Sequence, residues 1–464
     1  SSLLQLRLPL RLLADFRIYI LSTMLALNLS ACTDIQDGTT DIDSWPAINE
    51  YTLNHPCMLH TDADFTYVKS KLTRTPWSEG LDKLKNSGYS YSNYTPEAQE
   101  ILGRMDDKNW SATFPDWWNN YTYFYEDAAA AYQLALRWKL EGDIACGQAA
   151  VRILNEWATT CKGLVRVKSL ANDRTYDPNG EIADPNEYLI SINVHQMVNA
   201  AEIMRTDETL FKKDELAAFQ TMVKNVFYPA ASDFLAHRES CKQHSWLNWD
   251  LAQMTSILSI GILCDDQDMI NEAILYFKYG VGNGCIDNAV PFLHQDPDGH
   301  GMLGQGQESG RDQGHATLCV SLMGAFCQMA YNIGEDLFAY DGNKVLAMAE
   351  YTAKYNLWKD FDDTSSTSDE KFVYRKKDFP YTYYENCSWQ CPELSSQEKN
   401  DKSRGEIRPC WALIYNHYKT KGLDAYYTKQ FMDGMGVEGG GGHYGSTSGG
   451  FDQLGFGTLM YTRE

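Results

Sequence analysis

Basic side chains are scarce in this chain, and no long apolar run follows its N-terminal segment. Among 464 residues there are 40 lysines and arginines against 62 aspartates and glutamates, a formal net charge of −22. Such acidity argues against a nucleic-acid or anionic-membrane binder, which needs a basic face. G-x-S-x-G, Walker A and H-E-x-x-H strings are absent as well, and no G-x-G-x-x-G string stands in the strand–turn–helix context of a Rossmann fingerprint, which argues against the enzyme classes that depend on these motifs.

Aromatic residues are abundant by contrast. The chain has 12 Trp, 29 Tyr and 18 Phe within an ordinary globular composition of 44% hydrophobic and 22% charged residues. Aromatic faces suit sugar recognition, but they also fill cores. The count alone therefore gives a lead toward carbohydrate and no more.

The first residues have the pattern of an export signal. Arg7, Arg11 and Arg17 precede an apolar run over 18–29, and Leu-Ser-Ala-Cys32 resembles a bacterial lipobox. The pattern predicts a signal peptide over 1–31, a lipidated Cys32 and a polar linker over 32–53. We therefore expect an outer-membrane lipoprotein, periplasmic or on the cell surface, that touches membrane only through its lipid. An ordinary signal peptide with an incidental cysteine is the alternative.

The other eleven cysteines give no metal site. Most lie in apolar stretches, as Cys264, Cys319 and Cys327 do, which is typical of buried free thiols. Cys387 and Cys391 are close enough in sequence to pair in an exported protein. No Cys/His spacing matches zinc, so no metal is expected.

Helical patterns recur along residues 54–464. Helices are predicted over 127–140, 142–159, 194–204, 213–235, 251–263, 269–279, 316–331, 344–355 and 409–418. Segment 251–263 is apolar almost all round, whereas 214–235 is amphipathic, so buried and surface helices alternate. This predicts an all-α (α/α) toroid with an inner and an outer ring of helices. Strand-like alternation is nearly absent before Tyr426. The Gly-rich tail at 439–442 suggests a flap or a close backbone approach, with a plain surface linker as the alternative.

Three constellations could carry chemistry. The first lies just before the apolar helix, where His244 and Asn248 share a face if helical geometry holds. The candidate substrate contacts here are Gln243, Trp246 and Trp249. Helix capping by Asn248 or Asp250 is the structural alternative. A weaker candidate, Asn193-Val-His195-Gln196, fits a buried structural histidine better.

The second constellation spaces four ionisable residues at i, i+3, i+4 and i+7, so that they form one stripe of a helix: Glu308, Arg311, Asp312 and His315. Ionisable groups gathered on one face shift one another's pKa, as they do in sites. Gln307, Glu308 and Gln313 are the candidate substrate contacts here. The alternative is a structural ion-pair network of the two acids with Arg311.

The third constellation places Arg408, Trp411 and Tyr415 on one side of a predicted helix, with Pro409 in its first turn and His417 near its end. An arginine with aromatic rings suits a carboxylated sugar, because the guanidinium pairs bidentately and the ring packs on the sugar face. Core packing of Trp411 and Tyr415 is the alternative.

These strings resemble the alginate-lyase-type polysaccharide lyases of gut and marine Bacteroidetes, from about Asn54 to the C-terminus. The most specific is Gln307-Glu-Ser-Gly-Arg-Asp-Gln-Gly-His315; support comes from Asn248-Trp249, Arg404-Gly with Arg408-Pro-Cys-Trp411, and Gly455-Phe-Gly-Thr458. The resemblance implies a toroid that acts on a uronate polysaccharide, with alginate or a glucuronan first, by β-elimination without metal or cofactor. Nucleic acid is not an expected partner, and no oligomeric state follows.

The resemblance also implies roles. Asn248 and Arg311 would neutralise the uronate carboxylate, and His244 and His315 are the candidate bases. Better-known alginate lyases have a tyrosine on the helix after the Glu-x-x-Arg portion, where this chain offers His315, Thr317 and Leu318. Tyr415 or Tyr384 would then supply the acid.

Two rival functions stay open. One is an inverting hydrolase using two of Glu308, Asp312 and Asp250. The other is a non-catalytic glycan-binding lipoprotein. For an enzyme that binds a polyanion, the acidic chain needs a local basic cleft, for which Arg311, Arg404 and Arg408 are the candidates.

Overall fold

The computed structural model describes residues 48–104, 119–169, 173–236, 244–366, 368–385, 393–394 and 402–464. The predictions for the signal peptide and for Cys32, Gln243, Cys387 and Cys391 fall outside these residues. Tyr384 is described in its main chain only. No helix among the described residues combines the length and apolarity that a bilayer span needs.

The described part is mainly helical. The helices are α1 Asp62–Lys69, α2 Trp77–Lys85, α3 Tyr121–Glu141, α4 Ile144–Thr160, α5 Ser191–Met204, α6 Lys213–Val226, α7 Tyr228–Ala236, α8 Leu247–Leu263, α9 Gln267–Tyr279, α10 Ile286–Ala289, α11 Gln313–Asn332, α12 Tyr340–Asn356, α13 Trp411–Thr420, α14 Tyr426–Met435 and α15 Gly457–Tyr461. Short 3-10 segments cover Pro185–Ile190, Asp369–Lys371, Lys376–Asp378 and Ser448–Phe451.

Inner and outer helices differ as their sequences predict. Every residue of α5 and of α8 is buried, because these helices are apolar nearly all round. The amphipathic α6 buries only four residues, all on one face: Phe219, Met222, Val223 and Val226. Inner helices pack in the order α3, α5, α8, α11, α13 and α15, and α1 returns the ring to α3. The chain is an (α/α) toroid.

Short strands lie in the loops between helices. β1 Ile101–Leu102 pairs in parallel with β2 Gly163–Leu164, and β3 Arg166–Ser169 lies between β4 Asp173–Tyr176 and β5 Glu181–Ile182. β6 Phe292–Gln295 and β7 Met302–Gln305 form an antiparallel hairpin in which Phe292 faces Gln305. β8 Tyr384–Glu385 pairs with β9 Glu393–Leu394. The hairpin matters for function, because β7 leads directly into the second constellation.

Several predicted boundaries were wrong. The helix expected over 213–235 is two helices that meet at Phe227, because the proline that follows is tolerated only at the start of a helix. The strand-like pattern after Tyr426 is helix α14 instead. In the Gly-rich tail the expected close backbone approach is confirmed, since a Cβ on Gly440 would collide with the carbonyl of Leu454.

The described cysteines are free thiols. Seven are buried and Cys264 is partly buried. Burial raises the pKa of the Cys285 thiol to about 12, so it stays protonated and unreactive. The expectation of buried free thiols is confirmed for seven of the eight described cysteines, all except Cys264.

Candidate active site at the mouth of the toroid

The N-terminal ends of the inner helices meet at one end of the ring, which we call the mouth. Tyr121, at the start of α3, donates its hydroxyl hydrogen to Oδ1 of Asn193, in the first turn of α5. Nδ2 of Asn193 donates to the carbonyl of Phe451 at 2.9 Å. Arg408, just before α13, donates to Asp452 at 2.8 Å and to the carbonyl of Gly314 in α11 at 3.0 Å. These contacts bring the second and third constellations together.

The N-terminus of α8 is capped from outside by two residues of the second constellation. Oε1 of Gln307 accepts from the main-chain N–H of Leu247 at 2.8 Å. Oε1 of Glu308 accepts from the main-chain N–H of Asn248 at 2.7 Å and from its side-chain amide at 2.6 Å. Both side chains are fully or almost fully buried. Gln307 and Glu308 are therefore structural caps, which corrects their prediction as substrate contacts.

Asp312 and His315 form a hydrogen-bonded pair at the start of α11. Oδ1 of Asp312 accepts from the main-chain N–H of His315 at 2.8 Å, and Oδ2 lies 2.7 Å from Nδ1 of the imidazole. The His315 side chain is 38% exposed. Because an ionised carboxylate only accepts, the shared hydrogen belongs to Nδ1, and Nε2 of the neutral ring carries the lone pair.

The charge of this pair is reflected in the pKa of Asp312. Burial alone would raise it, but the hydrogen bond and positive charge that His315 supplies, with Arg311 nearby, lower the pKa below its ordinary value. The carboxylate therefore stays ionised at neutral pH and can stabilise a protonated imidazole.

The side chain of Arg311 is held by Glu308 and Trp246 and remains partly exposed to solvent. Its Nη1 donates to Oε2 of Glu308 at 3.1 Å, and its guanidinium lies over the Trp246 ring at 4.2 Å from the centroid. The side chain is 25% exposed, and its Nε lies 3.9 Å from Oδ2 of Asp312. A guanidinium held in this way can bind a carboxylate at little entropic cost. Trp246, 9% exposed, supports Arg311 and offers little surface to a sugar.

The residues of the first constellation lie at the mouth, but their side chains are buried. Helix α8 begins at Leu247, so His244 precedes the helix and the predicted helix face shared with Asn248 does not form. Their side chains are 1% and 2% exposed. Asn248 directs its amide to Glu308, which makes it a brace within the site. Trp249 is 7% exposed and packs on Phe234, so it is a core residue and no sugar contact.

The predicted stripe of four ionisable residues is not helical. Helix α11 starts at Gln313, and residues 307–311 form turns before it. Gln313 itself is 2% exposed, with Oε1 accepting from Asn356 at 2.8 Å and Nε2 donating to the carbonyl of Ser309. It is structural, not a substrate contact. Arg311, Asp312 and His315 nevertheless meet, because the turn and the helix cap bring them together.

We expected three arginines to line a basic cleft, and this prediction was wrong for two of them. Arg408 is 6% exposed and uses four donor contacts, to Thr317, Asp452, Gln453 and Gly314. Arg404 is 1% exposed and pairs with Asp369 at 2.8 Å. Both hold the third constellation to the toroid and are unavailable to a substrate carboxylate.

Sequence reasoning missed Lys402. Its carbonyl accepts from the main-chain N–H of Gln313 at 3.0 Å, two residues from His315, and its side chain is exposed. Together with Arg311 it is a cation available at the mouth. The sequence feature that could have identified Lys402 as a site residue is its position just before the Arg404-Gly405 string.

Three aromatic candidates lie elsewhere. Trp411 has no exposed surface and packs on Phe431, so it is core. His417 stacks on Phe338 at 3.8 Å, where burial lowers the pKa of its ring to about 4. Its other neighbour, Tyr331, is about 24 Å along α11 from His315 at 1.5 Å per residue. Tyr415 is half-buried on the side of α13 near Lys429 of α14, so the structure does not bring it to His315.

Below the mouth the inner helices line a small, partly open cavity of about 40 Å³. Its lining includes Tyr132, His195, Ser321, Leu413 and Gln453. Burial lowers the pKa of His195 to about 4, so its ring is neutral, as expected of a structural histidine.

One cluster at the other end of α5 has metal-ligand chemistry. The ligand atoms of His55, Cys57 and Glu202 lie within 4.8 Å of one another. Nη1 of Arg205 stands 3.2 Å from both His55 Nδ1 and Glu202 Oε1, where a cation would bind. Asp265 also pairs with His55, so two acidic and two basic side chains form an ion-pair network here.

The alginate lyase family profile matches residues 73–360, more than half of the chain. The chain belongs to this family, and it is a polysaccharide lyase. No curated protein sequence matches it.

Solved structures agree on the fold. Alginate lyase A1-III from Sphingomonas species A1 is 13% identical, with a TM-score of 0.53 over 86% of this chain and 95% of that one. An alginate lyase from Bacteroides ovatus is 12% identical, with a TM-score of 0.50 over 89% and 100%. A variant of the Sphingomonas enzyme complexed with a tetrasaccharide has a TM-score of 0.52 at 13% identity, over 86% and 94%.

Proposed function

We propose that this lyase cleaves alginate or a closely related polyuronate by β-elimination, with Arg311 binding the uronate carboxylate and His315 moving the proton. The observation that carries the proposal is the 2.7 Å bond from Asp312 to Nδ1 of a half-exposed His315, beside a partly exposed Arg311. Membership of the alginate lyase family and the tetrasaccharide bound to a relative support the substrate class.

The chemistry requires charge compensation at the uronate. Elimination breaks the C5–H and C4–O4 bonds, forms the C4=C5 double bond and returns a proton to O4. The C5 hydrogen is weakly acidic while the neighbouring carboxylate is fully charged. A guanidinium paired with that carboxylate offsets the charge that develops in the transition state.

Proton transfer falls to Nε2 of the partly exposed His315. Nε2 of the neutral ring accepts the C5 proton, ionised Asp312 stabilises the imidazolium, and the same Nε2–H then protonates the departing O4. A single group that serves as base and then as acid accounts for the lack of a tyrosine in the stretch that offers His315, Thr317 and Leu318, where better-known alginate lyases have one. His244, the other candidate base, is 1% exposed, so we assign the transfer to His315.

A hydrolase would need two accessible carboxyl groups. Glu308 is bonded to Asn248 and Arg311. Asp250 has no exposed surface and accepts from Tyr276 at 2.7 Å and from the main-chain N–H of Gly284 at 2.9 Å. Of the three carboxylates, only Asp312 lies beside an exposed acid–base group, which favours elimination over hydrolysis.

Purified protein incubated with alginate, glucuronan and hyaluronan tests the proposal. Elimination gives ultraviolet absorbance from unsaturated uronates in step with new reducing ends, and we expect both with alginate. Reducing ends without absorbance would establish a hydrolase. Retention on a polyuronate gel with neither product would establish a non-catalytic binder.

We further propose that the protein is exported as a lipoprotein through Cys32, on the strength of the arginine-rich and apolar pattern before it. Metabolic labelling with a fatty acid should mark the wild type and leave Cys32→Ala unlabelled. Labelling of Cys32→Ala to the same extent would contradict this assignment.

A further inference from the structure

Two tyrosines stand on a segment that a buried glutamine fixes against β7. Nε2 of Gln305 donates to the carbonyl of Thr382 at 3.0 Å, and Oε1 accepts from the main-chain N–H of Thr382 at 2.8 Å. Gln305 has no exposed surface, and Nε2 of His294 lies 2.9 Å from the same Oε1. The side-chain amide thus replaces a strand partner and holds the main chain at Thr382 in place.

Tyr381 and Tyr383 flank this fixed residue and form what we call the tyrosine platform. Residues two apart in an extended segment point to the same side, and the two rings meet edge to face with centroids 5.4 Å apart. Tyr383 is 61% exposed, more than any other large apolar or aromatic side chain in the described part of the chain. The fixed segment therefore presents an open aromatic ring to solvent.

The platform is close to the mouth. Gln305 ends β7, and Gln307 and Glu308, which cap α8, follow within three residues. Three residues of extended chain span at most about 10 Å. The hydrogen bonds of Gln305 thus tie the platform to the same short stretch that sets the position of Arg311.

We propose that the tyrosine platform binds a uronate ring of the polysaccharide beyond the residue that is cleaved. This inference rests on the proposed function. The C–H groups of a pyranose ring carry partial positive charge and suit the negative face of an aromatic ring, while the charged carboxylate at the ring edge stays in water. Two tyrosines offer far less area than the roughly 800 Å² per partner of a stable protein interface, which favours a sugar over a protein.

Kinetics on substrates of two lengths test the platform. Tyr383→Ala should raise KM for the polymer about 5- to 10-fold, the loss expected for one stacking ring, and raise it less for a trisaccharide too short to reach the platform. Tyr383→Phe should keep the wild-type KM, because the ring and not the hydroxyl makes the contact. Tyr91→Ala is the matched control, since Tyr91 is 49% exposed but lies away from the mouth, beside a serine whose carbonyl binds Arg137.

Binding measured without turnover separates this inference from the proposed function. In native gels containing alginate, His315→Ala should be retarded, and the double variant His315→Ala/Tyr383→Ala should be retarded clearly less. Equal retardation of the two, or equal KM shifts for polymer and trisaccharide, would overturn the platform. Absence of elimination products from the wild type would overturn the proposed function and leave the gel result to decide the platform.

Discussion

The carboxylate of Asp312 caps the helix on which His315 stands and also bonds the imidazole of that histidine, with 2.8 Å to the main-chain N–H and 2.7 Å to Nδ1. The first bond fixes the main chain and the second fixes the ring. As a result, Nε2 has one orientation relative to α11 and one tautomer when the ring is neutral. Both bonds depend on a three-residue spacing in the sequence.

Asp312→Asn separates these two roles. An asparagine keeps the oxygen that caps α11, but its amide donates to Nδ1 and so places the ring hydrogen on Nε2. We expect kcat on alginate to fall about 100-fold or more while the unfolding midpoint changes little. Wild-type kcat in this variant would show that Asp312 does not position the base.

Glu308→Gln tests the structural role of the cap on α8. The variant removes a buried charge that Asn248 and Arg311 both bind, so the free energy of unfolding should fall by about 1–3 kcal/mol. Glu464→Gln is the control, because that exposed carboxylate pairs with Lys71 at the surface and should contribute little. Denaturant unfolding measures both, and an unchanged value for Glu308→Gln would contradict the assignment.

Lys402→Ala tests the second cation of the mouth. Loss of an exposed positive charge beside the substrate should raise KM for alginate about 2- to 5-fold at low salt, and the difference should shrink as salt is added. Lys402→Arg should retain the wild-type KM. Lys421→Ala serves as control, because Lys421 binds Tyr331 at the opposite end of α11. Equal effects of Lys402→Ala and Lys421→Ala would rule out a role for Lys402 at the mouth.

The His55 network should make stability depend on pH. Burial lowers the pKa of His55, but the hydrogen bonds to Glu202 and Asp265 outweigh it, and the net pKa is raised above 6.5. A raised pKa contributes stability that is complete below about pH 6.5 and is lost as pH rises through the folded-state value. Unfolding of the wild type between about pH 6 and pH 8.5 should therefore show a decline that is smaller in His55→Gln. Identical pH dependence would contradict this account.

The fold could be predicted from the sequence because a buried helix is recognisable from its apolar residues. The run from Leu251 to Leu263 is apolar almost all round, and such a helix is typically buried among other helices. Boundaries were less predictable, since α8 starts at Leu247 only because Gln307 and Glu308 reach it from another part of the chain. A cap of this kind leaves no trace in local sequence.

The sequence predicted which segments form the candidate site, but it did not predict the role of each residue there. Arg311 and His315 were named from spacing, and both reach the mouth. Arg408 had equally suitable chemistry, but its donors are taken by Asp452 and Thr317, residues far away in sequence. Whether an arginine faces substrate or ties loops together depends on its tertiary partners, and so does whether an aromatic ring lies in the core. The local sequence does not show these partners, and this is why the assignments of Arg404, Arg408 and Trp411 were wrong.

The rate of unsaturated-uronate formation by His315→Gln on alginate tests the central claim most directly. Glutamine preserves much of the size and polarity of the ring but cannot exchange a proton at neutral pH. We predict that the wild type generates ultraviolet-absorbing ends and that His315→Gln is slower by about 100-fold or more, with a wild-type unfolding midpoint. Absorbance formed by His315→Gln at the wild-type rate would show that another group moves the proton.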